Sequence, residues 1–263
     1  SLRYEPLAYM NLRLGYGMGF RAPTLKEKYY EFDMAGIWVV VGNPNLKAEV
    51  SHNFNLSAEY ARRGYSFILN GYYNHITNKI ATDAPYLAHP TDPIPHLSYI
   101  NLAAHSVVGM EAAVQGHWRN GLTARLAYTL TAENLPRNKA GERMSAQYIP
   151  ARKHSLMVHA DWEHRFHKNF GMTLGIDGRY LSGVTNPEYI DYYDVSKGMR
   201  DIEYPGYTLW KLSAAGQFKK GVKITLALDN LFNYRPKYYY LNSPLTDGIN
   251  VMLGVSIDID KLF

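Results

Sequence analysis

The stretch that decides the fold is Ala8-Tyr9-Met10-Asn11-Leu12-Arg13-Leu14-Gly15-Tyr16-Gly17-Met18-Gly19-Phe20-Arg21. Ala8, Met10, Leu12, Leu14, Tyr16, Met18 and Phe20 fall on one parity, and Asn11, Arg13, Arg21 and three glycines on the other. A period of two with one apolar and one polar or bare face is the signature of a β-strand between two chemically different media.

The same split recurs outward along the chain. Phe54, Leu56, Ala58 and Tyr60 oppose Asn53, Asn55, Ser57 and Glu59, and Leu122, Ala124, Leu126, Tyr128 and Leu130 oppose Thr123, Arg125, Thr129 and Thr131. Leu156, Val158, Ala160 and Trp162 oppose Ser155, His159, Asp161 and Glu163, and Val251, Leu253, Val255 and Ile257 alternate with Asn250 and Ser256. About ten strands are expected, near 6–20, 50–63, 65–80, 97–118, 122–133, 152–165, 170–182, 206–218, 222–231 and 249–263. Many exceed the five or six residues usual in a soluble sheet and reach the roughly nine to eleven that a tilted membrane strand needs.

The connections alternate in length. Arg62-Arg63-Gly64, Arg119-Asn120-Gly121, His167-Lys168-Asn169 and Lys219-Lys220-Gly221 are tight polar turns. Between them lie long excursions near 21–49, 82–96, 134–151, 183–205 and 232–248, which hold nearly all the proline and much of the tyrosine. Short turns on one side and long loops on the other mark a transmembrane antiparallel β-barrel with its short turns in the periplasm. A soluble β-sandwich also alternates, but strand length and loop asymmetry favour the barrel. Trp118 and Trp162, near short-turn ends, are expected in an interfacial girdle.

Composition agrees. The 263 residues include 23 Tyr and no Cys, which removes disulfides, thiolate metal sites and cysteine nucleophiles. No apolar run approaches the roughly 18 residues of a membrane helix. The net charge of +5 comes from scattered residues, so no nucleic-acid partner is expected. The opening Ser1-Leu2-Arg3-Tyr4, without an initiator Met, reads as part of a longer chain.

Three boxes resemble those of the TonB-dependent outer-membrane receptors. Phe20-Arg21-Ala22-Pro23, followed by Thr24-Leu25-Lys26-Glu27, is similar to the FRAP box, and Asn43-Pro44-Asn45-Leu46 with Lys47-Ala48-Glu49 is similar to the NPNL box. Asp229-Asn230-Leu231-Phe232-Asn233-Tyr234-Arg235-Pro236 resembles the penultimate-strand box, and Phe263 the terminal aromatic. The resemblance implies that 1–263 is a single, incomplete domain: about ten C-terminal strands of a 22-strand barrel whose plug lies elsewhere. It implies the outer membrane of a Gram-negative bacterium and energy from TonB-ExbB-ExbD through the plug. Outer-membrane lipids would surround the wall, and a haem-delivering surface lipoprotein is a candidate partner.

Tyr29-Tyr30-Glu31-Phe32-Asp33-Met34 with Gly36-Ile37 looks closest to haemin receptors of the Bacteroidetes type. Haem is thus the first expectation for the cargo, with a ferric siderophore as the alternative. Haem receptors of this kind typically carry a His between the two boxes, and 24–42 has none. Met34, Tyr29 and Tyr30 are the candidate axial ligands, since thioether and phenolate both ligate haem iron; the competing role for each is loop packing. Arg21 and Lys47 suit propionates or an anionic siderophore, or a rim of charge paired with Glu49. His89 and His96 are candidates from the next loop, with a solvated role as the alternative, and Tyr192, Tyr193 and Tyr238 to Tyr240 mark later loops.

The reading from another class is an outer-membrane barrel hydrolase. His159 and Asp161 share a lumen face, a pairing able to activate water. No G-x-S-x-G or HExxH motif accompanies them, so no enzymatic activity is expected.

Overall fold

A computed structural model describes all residues except 84, 103, 135–150, 192, 193, 195, 196, 219, 220, 238–243, 245 and 259–263. Phe263 and the tyrosines at 192, 193 and 238–240 therefore lie outside the described residues. The chain opens with β1 (Leu2–Leu7), β2 (Met10–Arg21), α1 (Leu25–Tyr29), β3 (Glu31–Met34), β4 (Trp38–Val41), β5 (Glu49–Arg62) and β6 (Tyr65–Thr77). It continues with β7 (Ile80–Thr82), β8 (His96–Asn101), β9 (Ala104–His117), β10 (Leu122–Glu133), β11 (His154–His167) and β12 (Phe170–Leu181). Last come β13 (Val184–Tyr189), β14 (Met199–Tyr204), β15 (Tyr207–Phe218), β16 (Val222–Asp229) and β17 (Asn250–Ile257).

One 11-stranded antiparallel sheet, ordered β1-β2-β5-β6-β9-β10-β11-β12-β15-β16-β17, forms a wall. It is open, with β1 and β17 as edges. The alternation sets its two faces: Tyr16 pairs with Phe54, Phe54 with Tyr73 and Tyr73 with Val108, so apolar side chains meet on one side across four strands. On the other side Arg13 pairs with Ser57, Ser57 with Asn70 and Asn70 with Glu111. The apolar side stays uncovered, with Phe20 78% and Leu253 73% exposed. A face of that size is stable when lipid rather than water is its solvent.

Two expectations about strands change. The stretch near 6–20 is a hairpin, with β1 and β2 joined through Ala8 and Tyr9, so eleven wall strands replace about ten. Ala8 continues the apolar parity and Pro6, the one breaker nearby, lies before the bend within β1, so periodicity alone reads through it. The stretch near 97–118 is cut at Leu102, where the chain leaves a small sheet and enters the wall. The Leu102 N–H donates to the Lys79 carbonyl at 2.8 Å, and its side chain is 2% exposed.

The short turns among the described residues are as tight as expected, Lys219 and Lys220 lying outside them. Arg63 (φ 52°) and Gly64 (φ 84°) are both left-handed, which matches the twist of the hairpin they close. Aromatic rings line this end: Tyr9 on Tyr60, Tyr65 on Trp118, then Trp162, Phe166, Phe170 and Phe218 in successive contact. A second row, Tyr16, Phe54 and Tyr73, lies toward the long loops. From Tyr65 to Tyr73 is about 26 Å along β6, or about 20 Å across the membrane at the usual strand tilt, close to the height of the apolar band of an outer-membrane barrel.

Leu126 and Val255 lie on the apolar face, and Thr129 on the polar one. Leu126→Lys or Val255→Lys should destabilise the assembled full-length barrel by about 2 to 4 kcal/mol, and Thr129→Lys by less. Urea titration in vesicles checks this, and equal losses on both faces would contradict the assignment.

Candidate functional site

The loop excursion 22–48 is clamped to the wall by the two boxes. Arg21 ends β2 and Glu49 begins β5, directly opposite in register. Arg21 Nη2 donates to Glu49 Oε1 at 2.7 Å, and Nη1 donates to both oxygens of Glu27 at 2.9 and 3.1 Å. Glu27 reaches that position because α1 is a single capped turn. The Glu27 N–H donates to Thr24 Oγ1 at 3.2 Å, while the Thr24 N–H and hydroxyl donate to Glu27 Oε2 at 2.7 and 2.9 Å. This reciprocal capping box satisfies donors that a helix start otherwise leaves bare.

The second box closes the clamp. The Asn43 N–H donates to the Glu27 carbonyl, Asn43 Nδ2 to the Tyr99 carbonyl, and the Asn45 N–H to Asn43 Oδ1. Gly42 packs so tightly that a Cβ there would sit 2.6 Å from the Tyr29 nitrogen. The Lys47 N–H donates to Asn101 Oδ1, and Asn101 Nδ2 donates to the Lys47 and Asn78 carbonyls. Glu49 Oε1 also accepts from the Ile80 N–H at 2.7 Å.

Over this base sits a four-stranded cap, ordered β3-β4-β8-β7, whose β4–β8 pair is parallel. Its core is Val40, Leu46, Ile80, Leu97 and Leu102, all buried. In a chain whose wall side chains are largely exposed, this is a compact hydrophobic cluster that fixes the cap's position.

The candidate ligands occupy different places in this arrangement. Arg21 spends both Nη groups on carboxylates, the structural pairing named as its alternative. The Lys47 backbone is held by Asn101, its side chain is exposed, and no described residue pairs with its ammonium. Tyr29 and Tyr30, 63% and 59% exposed, stand at the end of α1. Lys26, one turn earlier, lies 3.9 Å over the Phe32 ring. Met34 is 48% exposed and pairs with Trp38, whereas His96 pairs with Val39. Because neighbouring residues of a strand point to opposite faces, Met34 and His96 leave opposite sides of the cap sheet. His89 is exposed in a turn held by its own N–H to Asp92 Oδ2 at 2.7 Å.

The third box is also a fastening. Asn230, left-handed at φ 53° and 2% exposed, donates from Nδ2 to the Tyr234 carbonyl and Thr246 Oγ1 and accepts from the Tyr234 N–H. On the lumen face, His159 is held through Nε2 by Asp161 at 2.9 Å and through Nδ1 by Asp177 at 2.7 Å. With both ring nitrogens taken, this group is a clasp between β11 and β12 rather than a base poised over water.

Residues 1–231 match the family described as TonB dependent receptor-like, beta-barrel. The chain belongs to this family. The E. coli ferrienterobactin receptor is 26% identical over 245 residues, covering 85% of this chain and 30% of that protein. The Vibrio cholerae iron-regulated outer membrane virulence protein is 24% identical over 253 residues, covering 92% and 36%. Among solved structures, the FrpB iron transporter from Neisseria meningitidis superposes with a TM-score of 0.71 at 16% identity, covering 96% of this chain and 37% of that one. FpvA of P. aeruginosa bound to a heterologous pyoverdine gives 0.69 at 17%, covering 96% and 31%.

This TonB-dependent receptor chain thus spans about a third of the length of these relatives. Its sheet is part of an outer-membrane barrel wall in a Gram-negative bacterium. The names of these relatives speak of iron and siderophores, and the expected kinship with haemin receptors finds no support in them.

Sequence reading passed over Glu27, Asn43, Tyr99 and Asn101 as fixing points. The Thr24-Leu25-Lys26-Glu27 spacing carries the capping-box signal for Glu27, whereas Tyr99 and Asn101 have no local signal, since their partners are about fifty residues away.

Two predictions follow from the clamp. Arg21→Ala should open the cap locally by about 2 kcal/mol, roughly thirtyfold less protection of the Asn43 and Ile80 amides, read by hydrogen exchange on the full receptor. Burial works to raise the Glu27 carboxyl, but hydrogen bonds from the Thr24 N–H, Arg21 and the Thr24 hydroxyl outweigh it and hold the group below its ordinary range. A carboxyl lower in the folded than the unfolded chain stabilises above the unfolded value of about 4.3, and that contribution fades as pH falls through the folded value. Trp38 fluorescence should therefore report cap loosening below about pH 4, and Glu27→Gln should be loosened already at neutral pH and keep only the part of the acid step that Glu49, also held low, contributes.

Proposed function

We propose that residues 1–263 form one barrel domain with its outer loops, in a receptor that captures a ferric siderophore and passes it across the outer membrane with energy from TonB-ExbB-ExbD. The observation that carries this is the clamped loop excursion, which holds exposed Tyr29, Tyr30 and Lys47, with Lys26 one turn before the tyrosines, at the long-loop end of the wall. A ferric ion wrapped in oxygen chelators is anionic and often aromatic. Ammonium groups and phenol rings supply charge-assisted hydrogen bonds and stacking for such a complex. The ferrienterobactin receptor and the pyoverdine-bound FpvA among the relatives support the same reading.

Haem fits the cap less well. Met34 and His96 leave opposite faces of one small sheet, so they do not converge on one iron, and Tyr29 or Tyr30 would have to act alone. The haem-delivering lipoprotein goes with that reading. The remainder of the receptor would supply the plug, docked on lumen groups such as Arg13, Arg125, Asp161, Glu163, Asp177, Arg179 and Asp229. No step in this function breaks a bond in the cargo.

The test is a strain lacking the receptor, complemented with the full-length gene and given one iron source. Growth on ferric enterobactin and none on haemin is expected, with Lys47→Ala plus Tyr29→Ala weakening binding of the chelate by about tenfold. Growth on haemin, with a Soret band that changes in Met34→Ala, would overturn the siderophore assignment and restore Met34 as a ligand.

A further inference from the structure

The apolar face of the wall carries an unexpected repeat at its long-loop end. His52, His75 and His154 all lie on that face, within about four residues of the outer ends of β5, β6 and β11. Each is built the same way. His52 Nδ1 meets the Tyr16 hydroxyl at 2.9 Å, His75 Nδ1 the Ser106 hydroxyl at 2.7 Å, and His154 Nδ1 the Tyr128 hydroxyl at 2.7 Å. Each ring also stacks on a tyrosine, Tyr16, Tyr73 or Tyr128, with interplanar angles of 18°, 15° and 26°.

Each Nδ1 meets a hydroxyl that can donate to it, and in that arrangement the neutral imidazole carries its proton on Nε2. No described residue bonds any of the three Nε2 atoms, and all three side chains are partly exposed. With the hydroxyls donating, the row presents three Nε2–H donors at the level of the outer aromatic girdle, where an interfacial ring meets lipid headgroups.

Charge agrees with the geometry. Among the described residues of the wall strands from β2 onward, no Asp or Glu takes the apolar parity; the carboxylates of β5, β9, β10, β11, β12 and β16 all face the lumen. Apart from the histidines, the one ionisable basic group on that parity is Arg62, at the short-turn end over the Tyr9 ring. A donor row free of neighbouring carboxylates suits an anionic acceptor.

The geometry points to a lipid site: His52, His75 and His154 form a docking row for the phosphorylated headgroups of the outer leaflet, each Nε2–H donating to a phosphate oxygen. The site is independent of the cargo and lies on the opposite face of the wall from the lumen.

The test uses the full-length receptor in neutral detergent, titrated with bisphosphorylated lipid A and with its dephosphorylated form, with retained lipid counted by native mass spectrometry. The receptor should retain the phosphorylated lipid preferentially. Replacing His52, His75 and His154 with Phe should reduce apparent affinity by about tenfold for each imidazole removed, and His164→Phe, at the short-turn end, should not. If the triple Phe variant fails to assemble, His→Gln, which keeps a donor near the Nε2 position, should retain lipid where His→Asn loses it. Equal retention by receptor and variants, or of both lipid forms, would overturn the proposal. So would displacement of the lipid by inorganic phosphate at equal concentration, since the site would then read phosphate alone.

Discussion

In hydrocarbon no water is available to a backbone N–H or carbonyl, and the strand next door must satisfy both. That requirement decides the rest of this molecule. It forces long neighbouring strands into continuous antiparallel register, from Arg21 opposite Glu49 down to Met10 opposite Tyr60 in one pair alone. Among the wall strands it admits proline only in the edge strand β1, as Pro6, and leaves the rest to the loops. It also leaves the side chains to distinguish lipid from lumen, which they do residue by residue.

The same requirement shapes the mouth. Where β2 and β5 leave the membrane the ladder ends, and the loop must be attached by other means. Arg21 does this because a planar guanidinium can serve two carboxylates at once, Glu49 beside it on the wall and Glu27 above it in the loop. A lysine offers a point charge without that fork. The boxes similar to FRAP and NPNL are therefore, in their contacts, a fastening. They hold the cap in place over the end of the wall.

Much of this was legible in the sequence, and the reason is physical. A face that meets lipid must be apolar at every second residue, so strand parity, the placement of Trp118 and Trp162, and the short turns could be read directly. The Ala8–Tyr9 bend was not, because its residues keep the parity of the strand that follows. Nor was the clasp of His159 by Asp177, which depends on register between two strands rather than on spacing within one. The cap was least legible of all. Its strands are three to six residues long, too short for periodicity to register, and its parallel β4–β8 pair joins segments more than fifty residues apart.

Function divides along the same physical line. Groups that hold the structure are those whose polar atoms are engaged by other residues of the chain: Arg21, Glu27, Asn43, Asn101, Asn230 and His159. Groups available for recognition keep polar atoms unspent at a surface, as Lys47 does at the mouth and as the Nε2 atoms of His52, His75 and His154 do at the girdle. Residue type alone does not separate the two sets, since an arginine fell into the first and a lysine into the second, and histidines into both. What separates them is the accounting of donors and acceptors. Burial in lipid or under the cap makes an unpaired polar atom costly, so those left unpaired at the boundary are where a ligand or a headgroup gains most by arriving.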